Sequence, residues 1–216
     1  MLQIRNITKK YKKGNEVFTA LDDVSFDVDK GDFITVTGHS GSGKSTLLNT
    51  IGGLIHPDNG TVLYNDENIY GYPQSKLDEY RKLKVGFIFQ QFHLLPYLSV
   101  YENIKMACSE DKQVRRIGRY LEECSLSEQR NKFPAQLSVG EKQRTAFIRA
   151  IIGGPEFLLA DEPTGNLDPG NCSILLDLIS EYNKNGGTVI LVSHHEPAAI
   201  YQTKGLQLQK GKIISQ

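Results

Sequence analysis

Residues 38 to 46 read Gly-His-Ser-Gly-Ser-Gly-Lys-Ser-Thr: a glycine, four variable positions, then Gly-Lys-Ser. These residue types at this spacing suit one chemistry, the cradling of a nucleoside triphosphate. Gly38, Gly41 and Gly43 let the backbone curl with its amides turned inward, and His39, Ser40 and Ser42 fill the curl between them. Lys44 brings a point charge to the phosphates, Ser45 a hydroxyl for Mg2+, and Thr46 a reach to a neighbouring phosphate oxygen. A helix starting at such a loop aims the positive end of its dipole at the same anion.

Far downstream, the apolar run Phe157-Leu158-Leu159-Ala160 ends in Asp161-Glu162-Pro163. At the carboxyl end of a parallel strand neighbouring the phosphate-loop strand, a carboxylate sits where Mg2+ needs one, and Asp161 takes that role. Glu162, one residue on, is expected to turn the other way, towards the far side of the γ-phosphate, and polarise an attacking water. Gln90 closes the run 85 to 89, so its amide is placed to touch both the metal site and whatever docks on the next segment. Leu137-Ser138-Val139-Gly140-Glu141 opens a helix with Ser138 at the N-cap, leaving backbone amides to meet an anion. Thr164-Gly165-Asn166-Leu167-Asp168 follows the acidic pair, and His194 ends the run 189 to 192 as an imidazole for the γ-phosphate. Taken singly, a strand-end glutamine or histidine, or a Leu-Ser-x-Gly turn, is more often structural.

These groups need elements to hold them. The strand Asp32 to Thr37 precedes the phosphate loop, and a helix from Ser45 to about Gly52, apolar at Leu47, Leu48 and Ile51, follows it. The first third also predicts short strands at Leu2 to Thr8, Leu21 to Val28 and Thr61 to Tyr64, and Val24 to Val28 alternates as a half-exposed antiparallel strand does. By contrast 85 to 89, 157 to 160 and 189 to 192 are continuous apolar runs, the pattern of strands buried on both faces of a parallel sheet. Between Gln91 and Gly153 helical periodicity takes over, in Val100 to Ala107, Lys112 to Cys124 and Val139 to Ile152. A helix from about Gly170 to Asn185 makes a right-handed crossover, and Gly205 to Ser215 closes the chain as a hairpin.

Composition narrows the classes. The 216 residues carry 25 basic and 25 acidic side chains, so no net field draws the chain onto nucleic acid. No apolar run approaches the roughly 20 residues that cross a bilayer, and Met1 to Arg5 lacks a signal-peptide core, which predicts a cytoplasmic protein. Cys108, Cys124 and Cys172 are odd in number and widely spaced, as reduced thiols are, and the five histidines show no metal spacing.

In this order Tyr11, Gly38 to Thr46, Gln90, Leu137 to Arg144, Phe157 to Pro163, Asp168 and His194 resemble the aromatic, Walker A, Q, signature, Walker B, D and H elements of ATP-binding cassette ATPases, over the whole chain. The stretches Gly86 to Pro96, Ser99 to Ile104 and Ala160 to Asp168 are similar to the lipoprotein-release and macrolide-export branch (LolD, MacB and FtsE type). The signature departs from the family pattern at Val139, where a second glycine is usual, and the stretch from Ile104 to the signature is short for the branch.

The resemblance implies an α/β fold: a P-loop NTPase nucleotide-binding domain over 1 to 216, with a mixed parallel-sheet core and small antiparallel β subdomain (1 to 90 and 154 to 216) and a helical insert (91 to 153). It implies that one chain holds half of each site. Tyr11 stacks on adenine with Phe18 beside it, and Ser45, Gln90 and Asp161 surround Mg2+. A second copy brings Ser138, Gly140 and Glu141 to the γ-phosphate. Glu162, His194, Gln90 and Lys44 serve hydrolysis, and Asp168 links the two sites. The implied partners are that second copy and separate membrane permease subunits, with the chain peripheral on the inner face of the membrane and the segment 91 to 153 as docking surface. The competing readings are a non-transport complex in which dimer closure signals to cell-wall enzymes, a DNA- or ribosome-acting ATPase, and a small-molecule kinase. The last two conflict with the missing coiled coil or second cassette, and with the Leu-Ser-Val-Gly-Glu turn beside Asp161-Glu162.

Overall fold

The computed structural model describes residues 1–14, 16–193 and 200–215. In chain order the elements are β1 (Leu2–Lys13), β2 (Glu16–Val28), β3 (Phe33–Thr37), α1 (Lys44–Ile51), β4 (Asn59–Tyr64), β5 (Glu67–Asn68), α2 (Gln74–Leu83), β6 (Val85–Ile88), α3 (Val100–Lys105), α4 (Asp111–Glu123), α5 (Val139–Ile151), β7 (Phe157–Asp161), α6 (Pro169–Lys184), β8 (Thr188–Ser193), β9 (Lys204–Gln209) and β10 (Lys212–Ser215).

Two sheets result. One is antiparallel, in the order β2-β1-β4-β5; the other runs β10-β9-β3-β8-β7-β6 and is parallel except for β10. The continuous apolar strands divide their side chains between two cores. Ile34, Val36, Leu159, Ile190 and Val192 pack with α1 and the antiparallel sheet. Phe33, Leu158, Ala160, Val189 and Leu191 pack with residues of α3 to α6. Both faces are therefore covered, which is why these strands do not alternate in polarity, and the loops at their carboxyl ends rest on a rigid platform.

Three expectations need correction. β7 does not neighbour β3, because β8 lies between them. The β7–α6–β8 crossover inserts β8 between β3 and β7, so Asp161 approaches the phosphate loop from two strands away. β1 and β2 also extend well beyond the predicted strands, pairing as far as Lys13 with Glu16. This outer ribbon is exposed at its tip, so its lysines and threonines hide the strand pattern. α2 was not anticipated at all: of Gln74–Leu83 only Tyr80 is buried, too thin an apolar stripe to read as a period.

No helix among the described residues is long and apolar enough to cross a membrane. The three cysteines are free. Burial pushes the Cys124 thiol up to about 12, which makes it an inert core residue.

Candidate functional site

The loop between β3 and α1 is shaped by two close approaches. Gly43 caps α1 at φ 107, and a Cβ there would lie 2.2 Å from the Ala20 carbonyl oxygen. A Cβ at Gly38 would lie 2.2 Å from the Leu208 oxygen. No side chain caps α1, so its first amides remain for an external acceptor. Ser42 Oγ is buried without a partner among the described residues, a further donor suited to a phosphate oxygen.

Lys44 lies inside the loop, 4% exposed, its Nζ donating to the carbonyls of Gly38 (2.8 Å) and His39 (3.0 Å). Glu162 Oε1 stands 3.8 Å from the same nitrogen. Burial lowers the Lys44 pKa, and the carboxylates of Glu162 and Asp161 oppose that shift. A buried ammonium in this condition gains from added negative charge, which a triphosphate brings.

Ser45 Oγ donates to Asp161 Oδ1 at 3.0 Å. A hydroxyl and a carboxylate, both hard oxygen donors, suit Mg2+, and no cluster of three or more His, Cys, Asp or Glu among the described residues offers a complete cage. Such a pair fits a cation that takes its remaining ligands from phosphate and water.

Glu162 does not alternate away from Asp161 as expected. β7 stops at Asp161, and Glu162 takes φ 47, with its amide donating to the Val192 oxygen at 3.0 Å. Left-handed backbone at a non-glycine residue costs free energy and persists where its surroundings fix it. Here it aims the carboxylate at Lys44. Gln90 stands two residues past the end of β6, exposed, with Nε2 3.8 Å from where a Cβ would project at Gly165. The turn after it is held from α5, whose Arg149 donates to the carbonyls of His93 (2.5 Å) and Phe92 (2.8 Å).

Ser138 is the N-cap of α5 in a full capping box. Its Oγ accepts from the Glu141 amide at 3.2 Å, and its own amide donates to the Glu141 carboxylate at 2.7 Å. The latter bond is the main cause of a lowered Glu141 pKa. Not all amides of this turn are thus open to an anion: that of Ser138 is engaged, while those of Val139 and Gly140 lack an intrahelical acceptor. Val139 is an exposed side chain. Among the described residues no hydrogen bond or ion pair joins residues 138–141 to residues 38–46.

The signature turn is tied instead to Asp168, the N-cap of α6. Asp168 accepts from the Asn171 amide (3.0 Å) and from its Nδ2 (2.6 Å), while Arg144 Nη1 donates to Asn171 Oδ1 (2.8 Å). Those Asn171 bonds hold the Asp168 carboxyl below its ordinary pKa. Asn171 was not singled out from sequence, although Asp168 three residues before it is a readable capping pattern. Tyr11 and Phe18, paired across β1 and β2, stack on each other at 5.4 Å between centroids, with Phe18 53% exposed. His194 lies outside the described residues.

Comparison with known proteins agrees with this architecture. Residues 21–165 match the family model described as ABC transporter. The chain is 39% identical over 223 residues to the lipoprotein-releasing system ATP-binding protein LolD of Buchnera aphidicola, covering 100% of this chain and 96% of that protein. It is 37% identical to the macrolide export ATP-binding/permease protein MacB of Burkholderia thailandensis, but covers only 34% of its length. It spans the same 34% of the probable syringafactin export ATP-binding/permease protein SyfD of Pseudomonas syringae, at 36% identity over all of this chain. Among solved structures, the dimeric structure of MJ0796, a bacterial ABC transporter cassette, superposes with TM-score 0.92 at 34% identity, covering 100% of this chain and 97% of that one. A post-hydrolysis state of the same cassette bound to ADP and Pi fits equally well. A glycine-rich loop around a buried lysine, a hydrogen-bonded Ser45–Asp161 pair of hard oxygens, a left-handed glutamate at the lysine and a separate capped turn at Ser138, on this fold and with these relatives, make the chain an ATP-binding, ATP-hydrolysing cassette of the ABC transporter family.

Proposed function

We propose that two copies of this chain close around two ATP molecules and transmit that closure to a separate membrane permease of the export or lipoprotein-release type. The observation carrying this reading is the separation, on one chain, of two helix N-termini suited to phosphate: the uncapped start of α1 at Lys44, and the start of α5 at Val139 and Gly140. One lysine and one helix terminus neutralise a γ-phosphate incompletely, and a facing signature turn adds the missing donors. The dimeric MJ0796 cassette supports the pairing.

Within each site, Lys44 and the loop amides bind the phosphates, and Tyr11 with Phe18 offers a stacking surface to adenine. Ser45 and Asp161, with Gln90 as a further oxygen donor, would hold Mg2+, which when bound would neutralise charge on the phosphoryl oxygens. Glu162 accepts the proton of an attacking water or orients that water. Its contact with Lys44 keeps the carboxylate at the phosphate end of the cleft. Asp168 lies at the junction between the two copies.

The permease-docking surface is assigned to the start of the 91–153 segment, where Tyr97 is 70% and Met106 61% exposed. Leu94, Leu95, Phe92 and Tyr101 are partly covered, so the insert's own packing uses much of this apolar set. The association places the chain peripherally at the membrane. Relatives named for lipoprotein release and macrolide export favour transport over the alternative of signalling to cell-wall enzymes.

The test is Glu162→Gln. Purified with ATP and Mg2+, this variant should hydrolyse at least about a hundredfold more slowly and elute as a dimer, returning to monomer when nucleotide is removed. Hydrolysis at the parent rate would remove Glu162 from the chemistry. A variant that binds ATP yet stays monomeric would remove the sandwich.

A further inference from the structure

The two parts of this chain that a partner would meet, the signature turn and Asp168, are bolted together by one side chain. We infer that Asn171 is a positioning residue that sets the signature turn and Asp168 in fixed register, so that both are presented to the partner's nucleotide as one rigid unit. The inference rests on the sandwich proposed above.

Three observations carry it. First, both faces of the Asn171 amide are used: Oδ1 accepts from Arg144 of α5, and Nδ2 donates to Asp168 Oδ2. Arg144 is itself fixed at its other end, where Nε donates to the Cys124 oxygen at 3.0 Å. Second, Asn171 meets the signature turn directly. A Cβ built on Gly140 would lie 2.2 Å from Asn171 Oδ1, so the Asn171 amide sits against the turn in the space that any side chain at position 140 would take. Third, the link is not needed for either helix to form. α6 keeps its cap through the Asn171 backbone amide on Asp168 Oδ1, and α5 keeps the Ser138–Glu141 box. A side chain that neither helix requires, and that joins the ends of both, acts on their relative placement.

The consequence is mechanical. If Asp168 shifts as one site empties, the linked signature turn shifts with it, and the turn faces the other copy's nucleotide. An amide suits this task because it donates to a carboxylate and accepts from a guanidinium at once.

The experiment uses the full chain in the Glu162→Gln background with ATP and Mg2+, comparing the parent with Asn171→Ala and Asn171→Asp. Asn171→Ala removes the link. Asn171→Asp keeps the shape and the Arg144 contact but sets a carboxylate against Asp168. Both should raise the ATP concentration for half-maximal pairing about tenfold, while the affinity of the monomer for a fluorescent ATP analogue stays within twofold of the parent. The melting temperature without nucleotide should move by only about 2–4 °C for Asn171→Ala. Pairing of both variants at the parent's ATP concentration overturns the role of Asn171 alone. Equal loss of monomer nucleotide affinity also overturns it, by showing a defect in the cradle instead. Failure of the parent itself to pair overturns the sandwich and this inference together.

Discussion

Lys44 is a buried cation that donates to the Gly38 and His39 carbonyls and stands 3.8 Å from the Glu162 carboxylate, a setting in which the negative charge of a triphosphate is favourable. Lys44→Arg is therefore not conservative: a forked guanidinium does not fit between the Gly38 and His39 carbonyls, and ATP affinity should fall at least about tenfold in calorimetric titration. Glu141 makes a different prediction. Its carboxylate caps α5 but also sets a negative charge in the turn assigned to a partner's γ-phosphate. Glu141→Gln keeps the acceptor and removes the charge, so the KM for ATP should fall several-fold; an unchanged KM would place the turn away from phosphate. The same group gives a pH signature. Its pKa is depressed on folding, so its stabilisation is complete above the ordinary carboxylate range and is lost only as pH falls through the lowered value. Glu141→Gln should flatten that acidic limb of the stability profile measured by denaturant titration. At this scale the phosphate loop and Asp161 were legible, because fixed spacing encodes backbone chemistry. The orientation of Glu162 was not, because it depends on a left-handed residue at φ 47 that strand alternation does not foresee.

Between elements, polar side chains do what periodicity cannot announce. Asn103 is 1% exposed on α3 and organises the loop before it: its Oδ1 accepts from the Leu95 amide, and its Nδ2 donates to the oxygens of Leu95, Leu98 and Ser99. This is the loop that carries exposed Tyr97. Asn103→Ala strips those bonds from buried backbone and should cost about 2–4 kcal/mol in urea unfolding. If the loop is the docking surface, the variant should also lose co-purification with its permease while the isolated chain still hydrolyses ATP. Tyr97→Ala should show that loss without the stability change. The two-sided burial of β6, β7 and β8 was readable because unbroken apolar runs have one stable setting, inside a covered sheet. Their order was not: local pattern says nothing of which strand a crossover inserts beside β3, and the sheet places β8 there. α2 escaped for the opposite reason, since a helix that buries only Tyr80 hardly differs from a polar loop in sequence.

For the whole molecule, stability becomes a measure of assembly. The chain carries 25 positive and 25 negative side chains, so no net charge opposes the approach of two copies. A ligand that binds only the folded form stabilises it by about 2.7 kcal/mol at a hundred times its Kd. For a domain of 216 residues that is roughly 5–10 °C in melting temperature. ATP with Mg2+ should produce such a shift, and chelating the cation should remove much of it. A single-chain site and a two-chain site both predict this much, and protein concentration separates them. If the bound state is a dimer, mass action makes the melting temperature of Glu162→Gln with ATP climb as the protein is concentrated, whereas without nucleotide it stays constant. Gly140→Ala, which drives a methyl into Asn171, should abolish the concentration dependence and leave the smaller monomer shift in place. A melting temperature with ATP that ignores protein concentration would mean that the cradle at Lys44 is complete in one chain, and the signature turn would then need another purpose.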